Sequence, residues 1–371
     1  MDAVALAQEL IAIDSVNPTL VAGAAGESAI ADYCAQWLEL HGFEVTRLER
    51  EHGRPSIVAI SRGSGGGASL LLSGHLDTVG VATWPGDPFA GEIVGDRLTG
   101  RGSFDMKSGI AALLAAAASV PDRRGDVIVA LVADEEFGSL GTEEVLAHVS
   151  ADAAIIAEPS QLELTVAHRG FAWFRVDVTG VAAHGSMPEQ GVDAIAHAAR
   201  IMSALDDLGA ALAVGAPHPF LAPGTVRVST IAGGVDAATV APSCTLTIER
   251  RFLPGESPDD VEAELRAHLA DLLGERATLT RLVARGAFEA SSDSRIRAVV
   301  REHASAVTGR PWVERGEPFW TDAGLMAEAG IPCLVIGVIG GGAHADDEWA
   351  SIQSIEHLAE ILRRTIREFC G

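Results

Sequence analysis

Six side chains lie where strands should end and a seventh follows a glycine loop, and each is of a type that binds cations or moves protons. His75 and Asp77 lie in Leu72-Ser-Gly-His-Leu-Asp-Thr-Val79, Asp105 in Gly100-Arg-Gly-Ser-Phe-Asp-Met-Lys107, and Glu135 and Glu136 in Ala133-Asp-Glu-Glu-Phe-Gly138. Glu158 follows in Ala157-Glu-Pro159, and His344 comes late, after Gly340-Gly-Gly342. In an open α/β sheet the loops beyond the carboxyl ends of neighbouring strands converge on one crevice. A single acidic residue there is usually a cap. Several carboxylates in one crevice repel and raise each other's pKa, so they call for cations.

The elements that must hold these residues can be read from the spacing of apolar positions. Residues 2–13 and 27–41 read as amphipathic helices, and 108–119 as a third helix. Short apolar runs at 56–60, 69–72, 127–132 and 153–157 read as strands. Unbroken apolar strands between helices imply a sheet covered on both faces, hence an α/β fold. The Gly63–Gly67 run has no following Gly-Lys-Ser/Thr, so it reads as a flexible turn and not as a phosphate cradle.

Residues 170–283 follow another pattern. Alternating runs at 172–179, 225–231 and 244–248 are joined by a helix through Ile195, Ala199, Met202 and Leu205. Ser257-Pro-Asp-Asp260 opens a second helix with a capping box, carrying Val261, Leu265, Leu269 and Leu272 on one face. A strand at 277–283 completes the order β-α-β-β-α-β of a ferredoxin-like α+β unit. From about residue 286 the chain returns to helix and buried strand (333–337), closing with a helix at 352–368. The expected organisation is an α/β domain of residues 1–169 and 284–371, interrupted by an inserted α+β domain of 170–283.

Composition narrows the function. The 371 residues are 48% hydrophobic and 21% charged, enough apolar material for a large core. Asp and Glu number 51 against 27 Lys and Arg, a formal charge of -24. So acidic a surface repels phosphate backbones and anionic lipid, which argues against nucleic acid and membrane partners. The longest nearly apolar run, 110–120, falls short of the about 18 residues needed to span a bilayer. Residues 1–18 carry Asp2 and Glu9 and no basic segment, so they read as a helix and not as a signal peptide. Cys34, Cys244, Cys333 and Cys370 are far apart and form no CxxC pair, which fits isolated thiols in a reducing cytoplasm.

These motifs, in this order and over nearly the whole chain, resemble those of the co-catalytic zinc aminoacylase/carboxypeptidase family. That family includes acetylornithine deacetylase, succinyl-diaminopimelate desuccinylase and carboxypeptidase G. The resemblance implies a zinc-exopeptidase-like catalytic domain holding two divalent metal ions. Asp105 would bridge them, His75 and Glu158 would complete one site, and Glu136 and His344 the other. Imidazole and carboxylate donors without thiolate suit zinc, and also Co²⁺ or Mn²⁺. Asp77 would hold the His75 ring, since side chains two apart in an extended segment share a face. Successive side chains diverge, which suits Glu136 as a ligand and Glu135 as the proton acceptor. A glycosidase carboxylate pair, at least about 5 Å apart across a sugar, fits less well.

The resemblance further implies a cis peptide between Asp105 and Met106, with Lys107 structural. In Gly180-Val-Ala-Ala-His-Gly-Ser186 it makes His184 a donor to the oxyanion, reaching the active site of a partner in a homodimer formed through the inserted domain. In Glu249-Arg-Arg-Phe-Leu-Pro-Gly255 it makes Arg251 the holder of a substrate carboxylate. The expected activity is hydrolysis of an N-acyl-L-amino acid, acetylornithine deacetylase-like. A broader aminoacylase or a glutamate-type carboxypeptidase/dipeptidase acting on short peptides is the alternative. A metal-stabilised binding protein without turnover is the alternative of another class. Two segments depart from the common pattern: Gly234-Val-Asp-Ala-Ala-Thr-Val-Ala-Pro242 replaces an Asn before Val-Pro, and Gly337-Val-Ile-Gly340 replaces Gly-Pro-Gly. Both bear on substrate preference and neither touches the metal set.

Overall fold

The computed structural model describes residues 2–371. It divides into two compact units, one comprising the chain up to Val166 with Ala290–Arg315 and Thr321–Gly371, the other Ala167–Glu289 with Gly316–Trp320. The second unit therefore begins and ends a few residues outside 170–283 and takes in the short 316–320 segment.

In the first unit a mixed sheet runs in the order Glu44–Leu48, Ser56–Ser61, Val127–Val132, Leu70–His75, Ala153–Ile156, Cys333–Val335, Leu164–His168. The four inner strands from Val127–Val132 to Cys333–Val335 are parallel. Every residue of Leu70–His75 and Val127–Val132 is buried, so both faces of the sheet are covered, as unbroken apolar strands require. Because these strands are parallel, their carboxyl ends share one edge, and the segments beginning at His75, Ala133 and Ala157 leave from it together. That edge is where the chemistry-bearing residues collect.

The helices Ala3–Ile11, Ser108–Ala118, Arg295–Thr308 and Ile352–Phe369 pack on one another. Asp2 caps the first of them, its Oδ1 accepting from Val4 N at 3.0 Å and Ala5 N at 3.1 Å. Such a cap contributes about 1 kcal/mol. The last helix buries Ile355, Leu358, Ile361, Leu362, Ile366 and Phe369, the stripe that its three-to-four spacing predicts. Two glycines allow close approach near the site. A Cβ on Gly109 would lie 2.2 Å from the Ala157 carbonyl oxygen, and one on Gly337 would lie 2.1 Å from that of Glu158. Lys107, the only lysine in the sequence, is wholly buried and donates to the Ile13 carbonyl at 2.7 Å. Burial pushes its amine down to about 8, against the pull of Asp14 and Glu348.

In the second unit a four-stranded antiparallel sheet has the order Thr225–Gly233, Ser243–Phe252, Gly170–Thr179, Ala277–Arg285. The helices Ala194–Ala213 and Pro258–His268 accompany it, giving the expected β-α-β-β-α-β sequence of elements. Phe174, Val176, Ile201, Leu246, Ile248 and Leu265 lie in its core. The capping box forms as read, with Asp260 N donating to Ser257 Oγ and Ser257 N donating to Asp260 Oδ2. Among the described residues no helix is long and apolar enough to cross a membrane. All four cysteines are buried and free.

Candidate metal centre

The strand edge brings the sequence-selected residues together. His75 is the last residue of its strand, and its Nε2 lies 3.0 Å from Asp105 Oδ1 and 3.5 Å from Glu158 Oε1. His344 Nε2 lies 2.9 Å from Glu136 Oε2 and 3.5 Å from Asp105 Oδ2. The two oxygens of Asp105 thus face two different imidazoles, the disposition a bridging carboxylate needs. Donor atoms of His75, Asp105 and Glu136 all lie within 4.8 Å of one another, as do those of His75, Glu135 and Glu158. His344 adopts the left-handed backbone conformation, φ 61°, and its side chain is exposed, whereas His75 is buried. The Asp105–Met106 peptide is cis.

Asp77 holds the His75 ring differently from the expectation. Its main-chain carbonyl, not its carboxylate, bonds to Nδ1 at 2.8 Å; the nearest carboxylate oxygen is 3.7 Å away. A carbonyl only accepts, so Nδ1 carries a proton and Nε2 is the ring atom aimed at Asp105 and Glu158, where it donates when the ring is protonated and would offer its lone pair to a cation. The Asp77 carboxylate is used elsewhere. It accepts from the backbone N–H of Glu135 at 3.1 Å and of Glu136 at 3.2 Å, and from Asn17 Nδ2 at 2.8 Å.

Electrostatics explain why so many acids in one place need cations. Burial, reinforced by Glu158, raises the Glu135 carboxyl well above its ordinary range. Glu158 is raised in the same way by burial, with Asp105 adding to it. Burial and the Asp105 charge push Glu136 up to about 7. Asp105 runs the other way: burial would raise it, but hydrogen bonds from His344 and His75 hold it below the carboxylate range. Burial opposes a charge on His75, yet Glu158 and Asp105 lift it well above the usual imidazole value. His344 is raised to about 10 by its bonds to Asp105 and Glu136. Protons on the two imidazoles thus stand in for positive charge among Asp105, Glu135, Glu136 and Glu158, which is where divalent ions fit. The donors are nitrogen and oxygen only, a set suited to zinc and its first-row neighbours.

Several supporting residues carry little or no signal in the sequence. Glu348, buried, accepts from Arg101 Nη1 at 2.8 Å and from the backbone N–H groups of Gly102, Phe104 and Asp105 at 2.9 Å each. It pins the segment bearing Asp105 from a point four residues beyond His344. Asp322 is also buried, takes a bond from Thr142 Oγ1 at 2.6 Å, and is pushed up to about 6 by burial. Asn17, Arg54 and Asp134 form a further buried group behind Asp77. Only Glu348 and Asp134 sit close in sequence to a selected residue, and adjacency was the one signal available for them.

His184 and Arg251 belong to the second unit. The His184 ring is exposed, and its Nδ1 accepts from Ser186 N at 3.2 Å, which leaves the ring proton on Nε2. Arg251 lies over the Phe171 ring, 5.3 Å from its centroid, and pairs with Glu249 through Nε at 3.1 Å and Nη2 at 2.9 Å. Glu249 keeps other partners, Arg227 Nε at 2.9 Å and Trp173 Nε1 at 3.3 Å.

A parallel-centred α/β sheet with carboxylates and imidazoles gathered at its carboxyl edge, carrying an inserted α+β unit, defines a hydrolase of the metallopeptidase class. Residues 71–368 match the profile of peptidase family M20/M25/M40, and the chain belongs to that family. It is 30% identical to an acetylornithine deacetylase of Myxococcus xanthus, over 98% of this chain and 96% of that protein. It is 32% identical to a succinyl-diaminopimelate desuccinylase of Methylobacterium sp. (strain 4-46), over 98% of this chain and 94% of the relative. Among solved structures it is similar in fold to the M20 family metallo-carboxypeptidase Sso-CP2 of Sulfolobus solfataricus, with a TM-score of 0.84, 18% identity, and coverage of 100% of this chain and 99% of that one.

Proposed function

We propose that the protein hydrolyses the amide bond of an N-acyl-L-amino acid, as an acetylornithine deacetylase does. The observation that carries this reading is the half-buried Glu135 carboxylate, with a donor oxygen within 4.8 Å of those of His75 and Glu158 yet expected to remain outside the metal set. Asp105 with His75 and Glu158 would hold one divalent ion, and Asp105 with Glu136 and His344 a second, zinc being the first choice and Co²⁺ or Mn²⁺ alternatives. The chemistry such ions supply when bound is polarisation of the amide carbonyl and activation of water at neutral pH. Glu135 takes the proton from the attacking water as its oxygen bonds to the carbonyl carbon. It then delivers that proton to the amine nitrogen as the carbon–nitrogen bond breaks. A hydrolysis screen over N-acetyl and N-succinyl amino acids and dipeptides, with metal content measured alongside, tests the reading. Turnover of N-acyl amino acids is expected. Turnover of dipeptides alone would replace it with the carboxypeptidase/dipeptidase alternative, and silence across the panel with metal bound would favour a binding protein.

Arg251 is proposed to hold the substrate carboxylate. Its pairing with Glu249 uses Nε and Nη2, and the stacking on Phe171 fixes the guanidinium plane. Arg251→Ala should raise KM by about 10- to 100-fold with kcat nearly unchanged, the signature of lost uniform binding. Because Arg227 and Trp173 still satisfy Glu249, thermal stability should barely move. A fall in kcat at unchanged KM would remove Arg251 from this role.

His184 is proposed to donate Nε2–H to the oxyanion from a second copy of the chain, in a homodimer formed through the inserted domain. Support comes from the edge strand Thr225–Gly233, which has one unpaired side and an exposed Ile231, with Val235 exposed just beyond it. Unpaired strand edges invite pairing with another chain. Mixing inactive His184→Ala with inactive Glu135→Gln, after dissociation and reassembly, should recover up to about a quarter of wild-type activity. No recovery, or an active monomer in sedimentation, would remove the second copy from the mechanism. A cytoplasmic setting is proposed from the four free, buried thiols.

A further inference from the structure

Behind the Glu135–Glu136 turn lies a buried polar cluster that the mechanism above does not use. Arg54, 3% exposed, occupies its centre. Its Nε and Nη2 bind both oxygens of Glu27 at 2.8 and 2.7 Å, and Nη1 donates to Thr19 Oγ1 at 2.8 Å. Nη2 also reaches Asp134 Oδ1 at 2.8 Å and Asn17 Oδ1 at 3.1 Å. Asn17 faces the other way with its amide nitrogen, donating to Asp134 Oδ1 at 3.1 Å and Asp77 Oδ2 at 2.8 Å. Asp77 in turn takes the backbone N–H groups of Glu135 and Glu136. The chain of bonds therefore starts at Arg54 and ends on the two peptide groups that aim the proton carrier and a candidate ligand.

We propose that Arg54 is a positioning residue for Glu135, acting through Asn17, Asp134 and Asp77. The proposal rests on the reading of Glu135 as the proton carrier. Asp134 sits at φ 69°, a left-handed conformation that a non-glycine residue keeps only when its surroundings enforce it. Arg54 supplies that enforcement from one side and the turn's own N–H groups from the other, Gly138 N donating to Asp134 O at 2.9 Å. A buried ion cluster is seldom the best way to gain stability, since well-packed apolar residues of equal volume often do better. What apolar packing cannot do is orient carboxylates so that they grip chosen peptide N–H groups. An aspartate cannot hold both N–H groups at once unless its own rotation is fixed, and Asn17 fixes it. Arg54 fixes Asn17, because its Nη2 can donate only to the oxygen end of that amide.

The test uses the metal-loaded protein and two substitutions. Asn17→Ala breaks the link between Arg54 and Asp77 without removing a charge, and Arg54→Met removes the source of the network. Each is expected to lower kcat by about 100-fold, the penalty for misplacing a catalytic group by about 1 Å, with KM within about threefold and metal content unchanged. Combined with Glu135→Gln, Asn17→Ala should lower kcat no further, because the group it positions is already gone. In the metal-free protein, hydrogen exchange at the Glu135 and Glu136 amides should speed by at least about tenfold in Asn17→Ala, while the helix Ile352–Phe369 stays protected. Unchanged kcat and unchanged exchange would overturn the proposal. So would loss of a metal ion as the main effect, or a kcat loss that adds fully to that of Glu135→Gln. If Arg54→Met does not fold, Asn17→Ala decides alone. Should Glu135→Gln itself keep activity, the functional reading fails first, and the exchange measurement still reports whether the network holds the turn.

Discussion

Glu135→Gln is expected to lower kcat by about three to four orders of magnitude while the protein keeps the metal content of the wild type. Glutamine preserves the shape of the side chain and one acceptor oxygen but cannot take a proton from water or return one to an amine. Glu135 N, bonded to Asp77 Oδ1 at 3.1 Å, is main chain and survives the change, so the turn should keep its form. The substitution removes a carboxylate that burial and Glu158 hold far above its ordinary range, so the metal-free protein should lose no thermal stability. Steady-state kinetics, metal analysis and a thermal scan of the metal-free form check the three parts. Activity near wild type would show that another group carries the proton, and lost metal would make Glu135 a ligand.

Asp105→Asn should have the other large effect and a different signature. The carboxylate has one oxygen 3.0 Å from His75 Nε2 and the other 3.5 Å from His344 Nε2, so it serves both halves of the centre. An amide offers one weak acceptor oxygen and an NH₂ group that no cation accepts as a ligand. Metal content should fall below about one ion per chain, and activity should not return at metal concentrations that saturate the wild type. The contrast is diagnostic: Glu135→Gln loses turnover and keeps metal, Asp105→Asn loses both. A variant that retained two ions would show that Asp105 does not bridge them.

The parts of this molecule that were legible in its sequence are those set by local pattern. Val127–Val132 and 69–72 read as buried strands because every position is apolar or small, and the second of these strands runs on to His75. Ser257 and Asp260 announce a helix start three residues apart. His75, Asp105, Glu136, Glu158 and His344 stood out because each sits in a short motif just beyond such a strand or a glycine loop. The strands Glu92–Val94, Arg97–Thr99, Gly340–Gly341 and Trp349–Ser351, which make up a small separate sheet, were not legible, since two or three residues are too few to show alternation. Glu44–Leu48 is mostly exposed and becomes a strand only through pairing with Ser56–Ile60.

The supporting network was hidden for a different reason. Arg54 lies between Gly53 and Pro55 and reads as a turn residue, and nothing nearby suggests that it is buried against Glu27 and Asp134. Its partners at 17, 27, 77 and 134 meet only once the tertiary fold exists. Asp77 shows the limit most clearly. Its two-residue offset from His75 correctly suggested contact, but backbone geometry decided that the carbonyl takes the ring and the carboxylate takes the turn.

Lys107 has a practical side. With the sole ε-amine of the polypeptide sealed beneath the first helix, amine-directed cross-linkers and fluorophores have no lysine handle on the described surface. A blank lane after such treatment would therefore say nothing about association between copies, and carboxyl-directed coupling or light scattering would have to report it instead.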